Sequence, residues 1–242
     1  MTTKDVFDTE AAHVLQTYKR VPIVLSRGRG IHLYDDDDLE YTDLVSGIGV
    51  ASLGHAHPGL AAAIAEQATT LVHTSNLYFH PLQGQLAARL AKLSGLPRSF
   101  FCNSGSEAVE ACLKFARRYW HTQGDASRTE IVALEHSFHG RTFGALSTTW
   151  EESYRTPFKP LVPNVKFVPA EADALTAAVS DRTQAIIVEP IQGEGGIRPL
   201  SPETARSLQR VCDDTGALLI VDEVQCGLGR TGHPFYFQAL EL

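Results

Sequence analysis

The chain has 242 residues, of which 43% are hydrophobic and 20% are charged, and its formal net charge at pH 7 is -7. This length suits one large domain or slightly more, and the acidic balance argues against a surface for nucleic acid or anionic membranes. No apolar run is long enough to span a bilayer, no signal-peptide core precedes the first acidic residues, and four cysteines without a CxxC pair predict free thiols in the cytoplasm.

The first fifty residues predict a helix followed by a hairpin. Apolar residues at helical spacing favour a helix over residues 1–20, and two short runs, 31–33 and 39–44, predict strands. The turn between these strands holds four consecutive aspartates. They lack the spaced ligands, glycine and distal glutamate of a calcium loop, so a solvated turn is the preferred interpretation. Loosely spaced glycines place a domain boundary near residue 50, which makes 1–50 an N-terminal segment and 51–242 the large domain.

Helical and strand patterns alternate beyond this boundary. The predicted helices cover residues 58–71, 82–93, 109–120, 171–179 and 202–216. The predicted strands cover residues 99–102, 131–134, 165–168, 185–188 and 217–221. His55 and His57 precede the first helix, but further ligands at motif spacing are missing, so no metal site is predicted. The alternation predicts an α/β fold with a mostly parallel sheet.

Two of these strands end in acids. The run 217–221, whose continuous apolar character predicts burial on both faces, ends in Asp222 and Glu223. The run 185–188 leads into Glu189 and a glycine-rich stretch. Ligands of an open parallel sheet bind beyond the carboxyl ends of its strands, so these acids stand where a ligand would be. Taken alone, the stretch that ends in Asp222 and Glu223 is better interpreted as a solvated strand end, but two such ends favour one shared site.

Two further stretches carry candidate ligand groups. The small-residue loop Asn103–Ser106 opens a helix, where backbone N–H groups and the helix dipole favour a phosphate, although Ser106 as a plain N-cap is the safer local interpretation. The strand 131–134 leads to Phe138 and Arg141. A ring there could stack on a planar ligand and a guanidinium could bind a carboxylate, or the two could be a core side chain and a surface charge.

Four ordered motifs together resemble the class III aminotransferases, which use pyridoxal phosphate on the fold type I scaffold. They are Asn103–Ala108, Phe138–Thr142, Glu189–Gly196, and Asp222–Gln225 with Gly229–Gly232. The resemblance runs along essentially the whole chain. It implies the large domain of fold type I with its C-terminal part missing, and residues 1–50 as part of the small domain. Gly195 and Gly196 together are more similar to the acetylornithine branch of the family than to the ornithine branch.

The resemblance also implies cofactor and substrate roles. Gly105 and Ser106 would bind the phosphate of pyridoxal phosphate, and Phe138 would stack on its ring. Asp222, the implied catalytic residue, would pair with the protonated ring nitrogen, and this proton makes the ring an electron sink. The implied cofactor-binding set is completed by Glu223, by Val224, which would pack on the ring, and by Gln225, which would reach its 3-oxygen. Arg141 would hold the substrate α-carboxylate, and Glu194 would lie near the entering amine.

The implied function is amino-group transfer between N-acetylornithine and 2-oxoglutarate in arginine biosynthesis, by a cytoplasmic homodimer that acts on small molecules. Ornithine, succinyldiaminopimelate or 4-aminobutyrate as the donor stays an alternative. So does a non-catalytic fragment of the pyridoxal-phosphate fold, used for cofactor or subunit binding. A Rossmann dehydrogenase is the least favoured alternative, because residues 27–31 do not satisfy GxGxxG after a strand.

One feature departs from the family pattern. The family forms its internal aldimine on a lysine that follows the aspartate motif, but the last lysine here is Lys166, upstream of Asp222. The resemblance therefore implies an N-terminal portion of the enzyme. The aldimine lysine, the phosphate-binding threonine lent by a partner subunit and the C-terminal small domain would lie beyond Leu242. The 242-residue chain itself is expected to be inactive.

Overall fold

The structure is a computed structural model that describes residues 2–242, and its chain separates into two compact units. One unit ends at His80 and the other covers Pro81–Leu242. The domain boundary expected near residue 50 stays a prediction about the organisation of the protein. Across the described residues 2–242, none of the helices combines the length and the apolar character that crossing a membrane requires.

The first unit contains two helices, a three-stranded antiparallel sheet of order β1-β2-β3 and one distorted turn at Ser46–Gly49. Its elements are α1 (Thr3–His13), β1 (Leu25–Arg29), β2 (His32–Asp35), β3 (Glu40–Thr42) and α2 (Pro58–Thr70). The β2–β3 pairing confirms the predicted hairpin. Asp35 closes its turn, because the carboxylate accepts hydrogen bonds from the backbone N–H of Asp37 and Leu39 and from the Tyr41 hydroxyl.

One prediction for this unit was wrong, and one of its strands was not predicted. The first helix ends at His13 instead of continuing to residue 20, since Val14 is extended at φ -109° and ψ 129°. Leu15 and Tyr18, which helical spacing placed on one face of that helix, are 83% and 77% exposed and therefore have little to pack against. Strand β1 was not predicted, because its Arg-Gly-Arg sequence has neither apolar alternation nor β-branched residues.

The second unit alternates helices and strands, as predicted. Its helices are α3 (Pro81–Ser94), α4 (Gly105–Thr122), α5 (Phe143–Ser147), α6 (Glu152–Arg155), α7 (Ala172–Ala178) and α8 (Pro202–Thr215). Its strands are β4 (Glu130–Leu134), β5 (Val165–Val168), β6 (Thr183–Val188), β7 (Ile191–Gln192), β8 (Arg198–Pro199) and β9 (Leu218–Val221). Short 3₁₀ turns follow at Thr156–Phe158 and Tyr236–Leu240. Gly216 ends α8 at φ 74°, a conformation that glycine adopts without steric cost.

A parallel four-stranded sheet of order β5-β4-β6-β9 is the centre of this unit. Alternate side chains of β4 serve two different cores, as the twofold periodicity of a strand requires. Ile131 and Ala133 pack with Val109 and Leu113 of α4, whereas the other face packs with α7 and α8 through residues such as Leu208. Helices therefore cover both faces, and the carboxyl ends of β4, β6 and β9 reach the same edge.

Two strand predictions for this unit need correction. The extended run 99–102 belongs to no strand, because no described residue of the sheet offers it a hydrogen-bonded ladder. Strand β9 was expected to be buried on both faces, but its four residues are only half-buried whereas every residue of β6 is buried. The difference follows from position, since β9 is an outermost strand and pairs only with β6 among residues 2–242.

Candidate active site at the strand ends

The start of α4 lies against the segment that follows β9. Ser104 caps the helix, because its Oγ accepts a hydrogen bond from Glu107 N at 3.2 Å. A Cβ added to Gly105 would lie 2.8 Å from Val224 Cγ1, so only glycine permits this close approach. The first N–H groups of a helix have no partner inside it. The structure therefore brings Gly105, at the start of α4, against Val224, which follows Asp222 by two residues in the chain.

Asp222 directly follows β9 and is held by two hydrogen bonds. Its Oδ2 lies 2.8 Å from His139 Nδ1, and its Oδ1 accepts a hydrogen bond from Val224 N at 3.1 Å. His139 is only 3% exposed, and its Nε2 is buried with no hydrogen-bond partner in the described chain. This histidine follows β4, so one hydrogen bond links the ends of β4 and β9. No role for His139 was predicted from the sequence.

Glu189 adds a third titratable group beside this pair. It is buried at the end of β6, and its Oε2 accepts a hydrogen bond from Phe138 N at 3.0 Å. Burial raises the pKa of Glu189 to about 7, against the opposing effects of the His139 charge and the Phe138 N–H, while the Asp222 charge raises this pKa further. The ends of three strands thus place two carboxylates and an imidazole within electrostatic reach of one another.

The segment after His139 is fixed to α4. A Cβ on Gly140 would lie 2.2 Å from Ser106 Oγ, and the same Oγ lies 3.4 Å from Arg141 N. Glu110 Oε1 accepts hydrogen bonds from Thr142 Oγ1 at 2.7 Å, from Gly144 N at 2.7 Å and from Ala145 N at 3.2 Å. Glu110 therefore caps α5 from a neighbouring helix and holds the backbone on the C-terminal side of Arg141.

The Arg141 side chain is exposed and lies over an aromatic ring. Its Cζ is 4.1 Å from the centroid of the Tyr154 ring. No carboxylate among residues 2–242 forms an ion pair or a hydrogen bond with its guanidinium. The N–H groups of Arg141 are therefore available to an anion.

Phe138 and Glu194 line one pocket, and Tyr154 belongs to the same wall. The pocket has a volume of about 180 Å³, and its full lining is His136, Ser137, Phe138, Trp150, Glu151, Tyr154, Glu194 and Gly195. Gly195 permits this arrangement, because a Cβ there would lie 2.3 Å from the His136 carbonyl oxygen. Three of the predicted site residues, Phe138, Arg141 and Glu194, are thereby connected through the pocket and Tyr154.

Gln225 and Glu223, the remaining two predicted cofactor residues, contact other parts of the chain. Gln225 packs on the glycine-rich stretch, since a Cβ on Gly193 would lie 1.5 Å from Gln225 Oε1. Both carboxylate oxygens of Glu223 are engaged by a turn, with Tyr236 N at 2.8 Å and Phe237 N at 2.7 Å. Glu223 thus stabilises the 3₁₀ turn Tyr236–Leu240, and a cofactor contact by its side chain stays a prediction.

Comparison with known families assigns the chain to one of them. The family model described as aminotransferase class-III matches residues 14–242. The chain belongs to the class III aminotransferase family.

Curated members of this family are similar along nearly the whole chain. The acetylornithine aminotransferase of Methanocaldococcus jannaschii is 45% identical over 98% of the chain and 60% of its own length. That of Methanosarcina acetivorans is 48% identical over 94% of the chain and 56% of its own length. The chain therefore spans little more than half the length of these curated class III relatives.

Solved class III structures share the fold. The ornithine aminotransferase of Toxoplasma gondii superimposes with a TM-score of 0.94 at 31% identity, over 100% of this chain and 57% of that chain. The N-acetylornithine aminotransferase of Stenotrophomonas maltophilia superimposes with a TM-score of 0.80 at 34% identity, over 94% of this chain and 57% of that chain. These matches, together with the parallel sheet, confirm the predicted fold type for this class III chain.

Proposed function

We propose that the whole protein is a pyridoxal-phosphate-dependent aminotransferase that transfers an amino group between N-acetylornithine and 2-oxoglutarate. The observation that carries the proposal is the group of side chains at the ends of β4 and β9. Asp222 is hydrogen-bonded to buried His139, Val224 two residues later contacts Gly105 at the start of α4, and Ser106 of the same turn accepts a hydrogen bond from Arg141 N. The similarity to curated acetylornithine aminotransferases supports this choice of donor.

The residues present suit pyridoxal phosphate. Backbone N–H groups and the Ser106 hydroxyl at the start of an 18-residue helix form a donor set for a dianionic phosphate. Asp222 offers a carboxylate to a protonated ring nitrogen. Phe138 is half-buried and Val224 is 66% exposed, so an aromatic and an apolar side chain are available to the two faces of a planar ring. The unpartnered Nε2 of His139 fits a site whose polar groups are arranged for a ligand and not for the fold alone.

Each side chain has a defined task in this proposal. Bound pyridoxal phosphate supplies the electron sink that transamination requires. Asp222 keeps a proton on the ring nitrogen, because a nearby carboxylate favours the charged form of a base. His139 keeps the Asp222 carboxylate in one orientation through the 2.8 Å hydrogen bond. The close contact of Gly105 with Val224 keeps the helix start and the segment after β9 in register.

Arg141 and Glu194 are assigned to the substrate. The donor and 2-oxoglutarate both carry an α-carboxylate, and the unpaired guanidinium of Arg141 matches its planar, bidentate geometry. Glu194 is exposed on the pocket wall beside Phe138, where its carboxylate would attract a protonated amine. The same proposal places the protein in the cytoplasm, which suits its four free cysteines, and includes a homodimeric assembly.

Ornithine is the second candidate donor, since the Toxoplasma gondii ornithine enzyme matches the fold with a TM-score of 0.94. Steady-state kinetics of the whole protein on N-acetylornithine, ornithine, succinyldiaminopimelate and 4-aminobutyrate would separate these donors. We expect the highest kcat/KM for N-acetylornithine. We also expect Asp222→Ala to lower kcat by at least about 100-fold with the fold retained. Normal turnover in a variant that retains pyridoxal phosphate, or a preference for another donor, would contradict the proposal.

A further inference from the structure

We propose that Tyr154 is the positioning residue for Arg141, and that its ring holds the guanidinium in the orientation that receives the substrate carboxylate. This inference rests on the proposed function, because it takes Arg141 as the carboxylate anchor. Three sets of contacts support it: the contact of Arg141 with the ring, the way the ring is mounted on the sheet, and the shared pocket.

The first observation is that, among residues 2–242, the Arg141 guanidinium contacts one aromatic ring and forms no hydrogen bond or ion pair. The guanidinium carbon lies 4.1 Å from the Tyr154 ring centroid, close enough for a cation–π interaction. A face contact of this kind leaves the N–H groups at the edge of the guanidinium free. A carboxylate partner would instead occupy the edge that a substrate needs. The ring therefore restricts the side chain and leaves its binding edge open.

The second observation is that the ring stands on a fixed support. Tyr154 belongs to α6, where Glu151 Oε1 accepts a hydrogen bond from Ser153 N at 3.0 Å. Arg155 donates from Nη2 to the Trp150 carbonyl oxygen at 3.0 Å, and its Cζ lies 4.6 Å from the Phe167 ring centroid.

Phe167 belongs to β5 and lies in edge-to-face contact with Trp150, with ring centroids 5.3 Å apart. Both residues that flank Glu151–Tyr154 are thereby packed on the central sheet. The one-turn helix α6 on its own would be too short to be stable, so these sheet contacts determine where the Tyr154 ring stands.

The third observation is location. Tyr154 lines the 180 Å³ pocket together with Phe138 and Glu194, the two predicted residues for the cofactor ring and the substrate amine. The backbone N–H of Arg141 donates a hydrogen bond to Ser106 Oγ, and Glu110 accepts one from the hydroxyl of the next residue, Thr142. Backbone and side chain are therefore fixed independently, and Tyr154 supplies the side-chain part. The Tyr154 hydroxyl takes no part in positioning Arg141, so the proposed role belongs to the ring alone.

The test uses the cofactor-loaded whole protein and glutarate, a dicarboxylate that lacks the reactive keto group. Titration calorimetry measures the dissociation constant of glutarate for the wild type, Tyr154→Leu, Tyr154→Phe, Arg141→Lys and the Tyr154→Leu/Arg141→Lys double variant. Tyr34→Leu is the matched control, because Arg27 lies 3.6 Å above the Tyr34 ring centroid in the other unit.

The expected result for Tyr154→Leu is a dissociation constant raised about 2- to 30-fold, the range of one cation–π contact. Tyr154→Phe and Tyr34→Leu should stay within about twofold of the wild type. Adding Tyr154→Leu to Arg141→Lys should cause no further loss, because a positioning residue acts through the group it positions. In steady-state kinetics, Tyr154→Leu should raise KM for both carboxylate substrates more than it lowers kcat.

Other outcomes overturn the inference. Wild-type binding by Tyr154→Leu while Arg141→Lys loses affinity would refute the positioning role alone and leave the proposed function intact. An equal loss in Tyr154→Phe would show that the hydroxyl and not the ring matters. Unchanged binding in Arg141→Lys would refute the carboxylate anchor and the inference together. Should Tyr154→Leu fail to fold, Tyr154→Trp keeps an aromatic face, and a large loss of affinity in that variant would overturn the proposal.

Discussion

Glu189 is the residue whose environment differs most from water among the groups at the strand ends. Its carboxyl is buried, and burial raises its pKa from 4.5 to about 7. A folded-state pKa above the unfolded value means that the native state prefers the protonated acid. The contribution of Glu189 to stability is therefore complete below about pH 4.5 and is lost as the pH rises through about 7.

The first prediction concerns Glu189→Gln. The amide is neutral at every pH, so the variant should gain stability relative to the wild type as the pH rises from 5 to 8, by at most about 3 kcal/mol. Urea unfolding at several pH values measures this difference. Glu203→Gln, at an exposed position on α8, serves as the matched control. A stability difference that does not change with pH would contradict a buried carboxyl with a raised pKa.

The second prediction concerns Arg141→Lys. An ammonium group cannot reproduce bidentate contact with a carboxylate, and it loses most of the planar stacking on Tyr154. We expect both half-reactions of the whole protein, with the amino donor and with 2-oxoglutarate, to slow by at least about tenfold. Single-turnover measurements of each half-reaction provide the test. Damage restricted to one half-reaction would argue against a shared carboxylate anchor.

Among the helices and strands, α4 contributes more to the proposed site than its first turn. Through Glu110 it also caps α5, whose first N–H groups have no partner within their own helix. The segment that carries Arg141 is thereby enclosed between two contacts to α4, one from Ser106 and one from Glu110. The position of Arg141 therefore depends on Glu110, an acid that lies outside all of the sequence motifs.

The third prediction follows from this cap. Glu110→Ala removes the acceptor for the backbone N–H of Gly144 and Ala145, and it should lower the free energy of unfolding by about 1–2 kcal/mol, the usual value of a helix cap. Glu110→Gln keeps one carbonyl acceptor and should lose less. Chemical unfolding of the two variants side by side gives the comparison. Equal stability of Glu110→Ala and the wild type would show that the cap contributes nothing.

Elements with a regular apolar pattern could be predicted from sequence, and irregular ones could not. Helix α8 has a serine cap, a proline in its first turn and a glycine after its end, and its predicted extent agrees with the structure. Strand β1 has no such pattern, and the run 99–102 has a strand-like composition without a strand beside it. Composition predicts the conformation that a segment favours, but a β-strand also requires a neighbouring strand with which to form hydrogen bonds.

The same limit applies to the site. Asp222, Phe138 and Arg141 could be predicted because each belongs to a motif that follows a predicted strand, and such motifs can be recognised from the sequence alone. The pairing of His139 with Asp222 joins residues 83 positions apart, and only the fold brings them together. Tyr154 was missed for another reason, since a tyrosine in a short polar helix has no distinguishing local signal.

For the whole molecule, the positions of the lysines matter most for covalent binding of pyridoxal phosphate. All six lysines lie upstream of Asp222, and the last of them, Lys166, is 2.7 Å from Glu130 Oε2. A nucleophilic amine must be close to the reacting aldehyde and oriented toward it, so distant lysines are poor substitutes.

The fourth prediction is that the 242-residue polypeptide itself binds pyridoxal phosphate weakly and does not turn over N-acetylornithine. Reduction with borohydride in the presence of the cofactor, followed by peptide mapping, should show no stoichiometric label on a single lysine. The whole protein, treated in parallel, is the positive control. Stoichiometric labelling of one lysine in the 242-residue chain together with turnover would contradict the prediction.

The proposed function requires that the ends of β4 and β9, with the start of α4, form one cofactor site. A crystal structure of the whole protein with pyridoxal phosphate would show whether they do. We expect the phosphate at Gly105 and Ser106, the ring between Phe138 and Val224, and the ring nitrogen within hydrogen-bond distance of Asp222. A cofactor bound elsewhere, or a ring nitrogen without contact to Asp222, would contradict the proposed function.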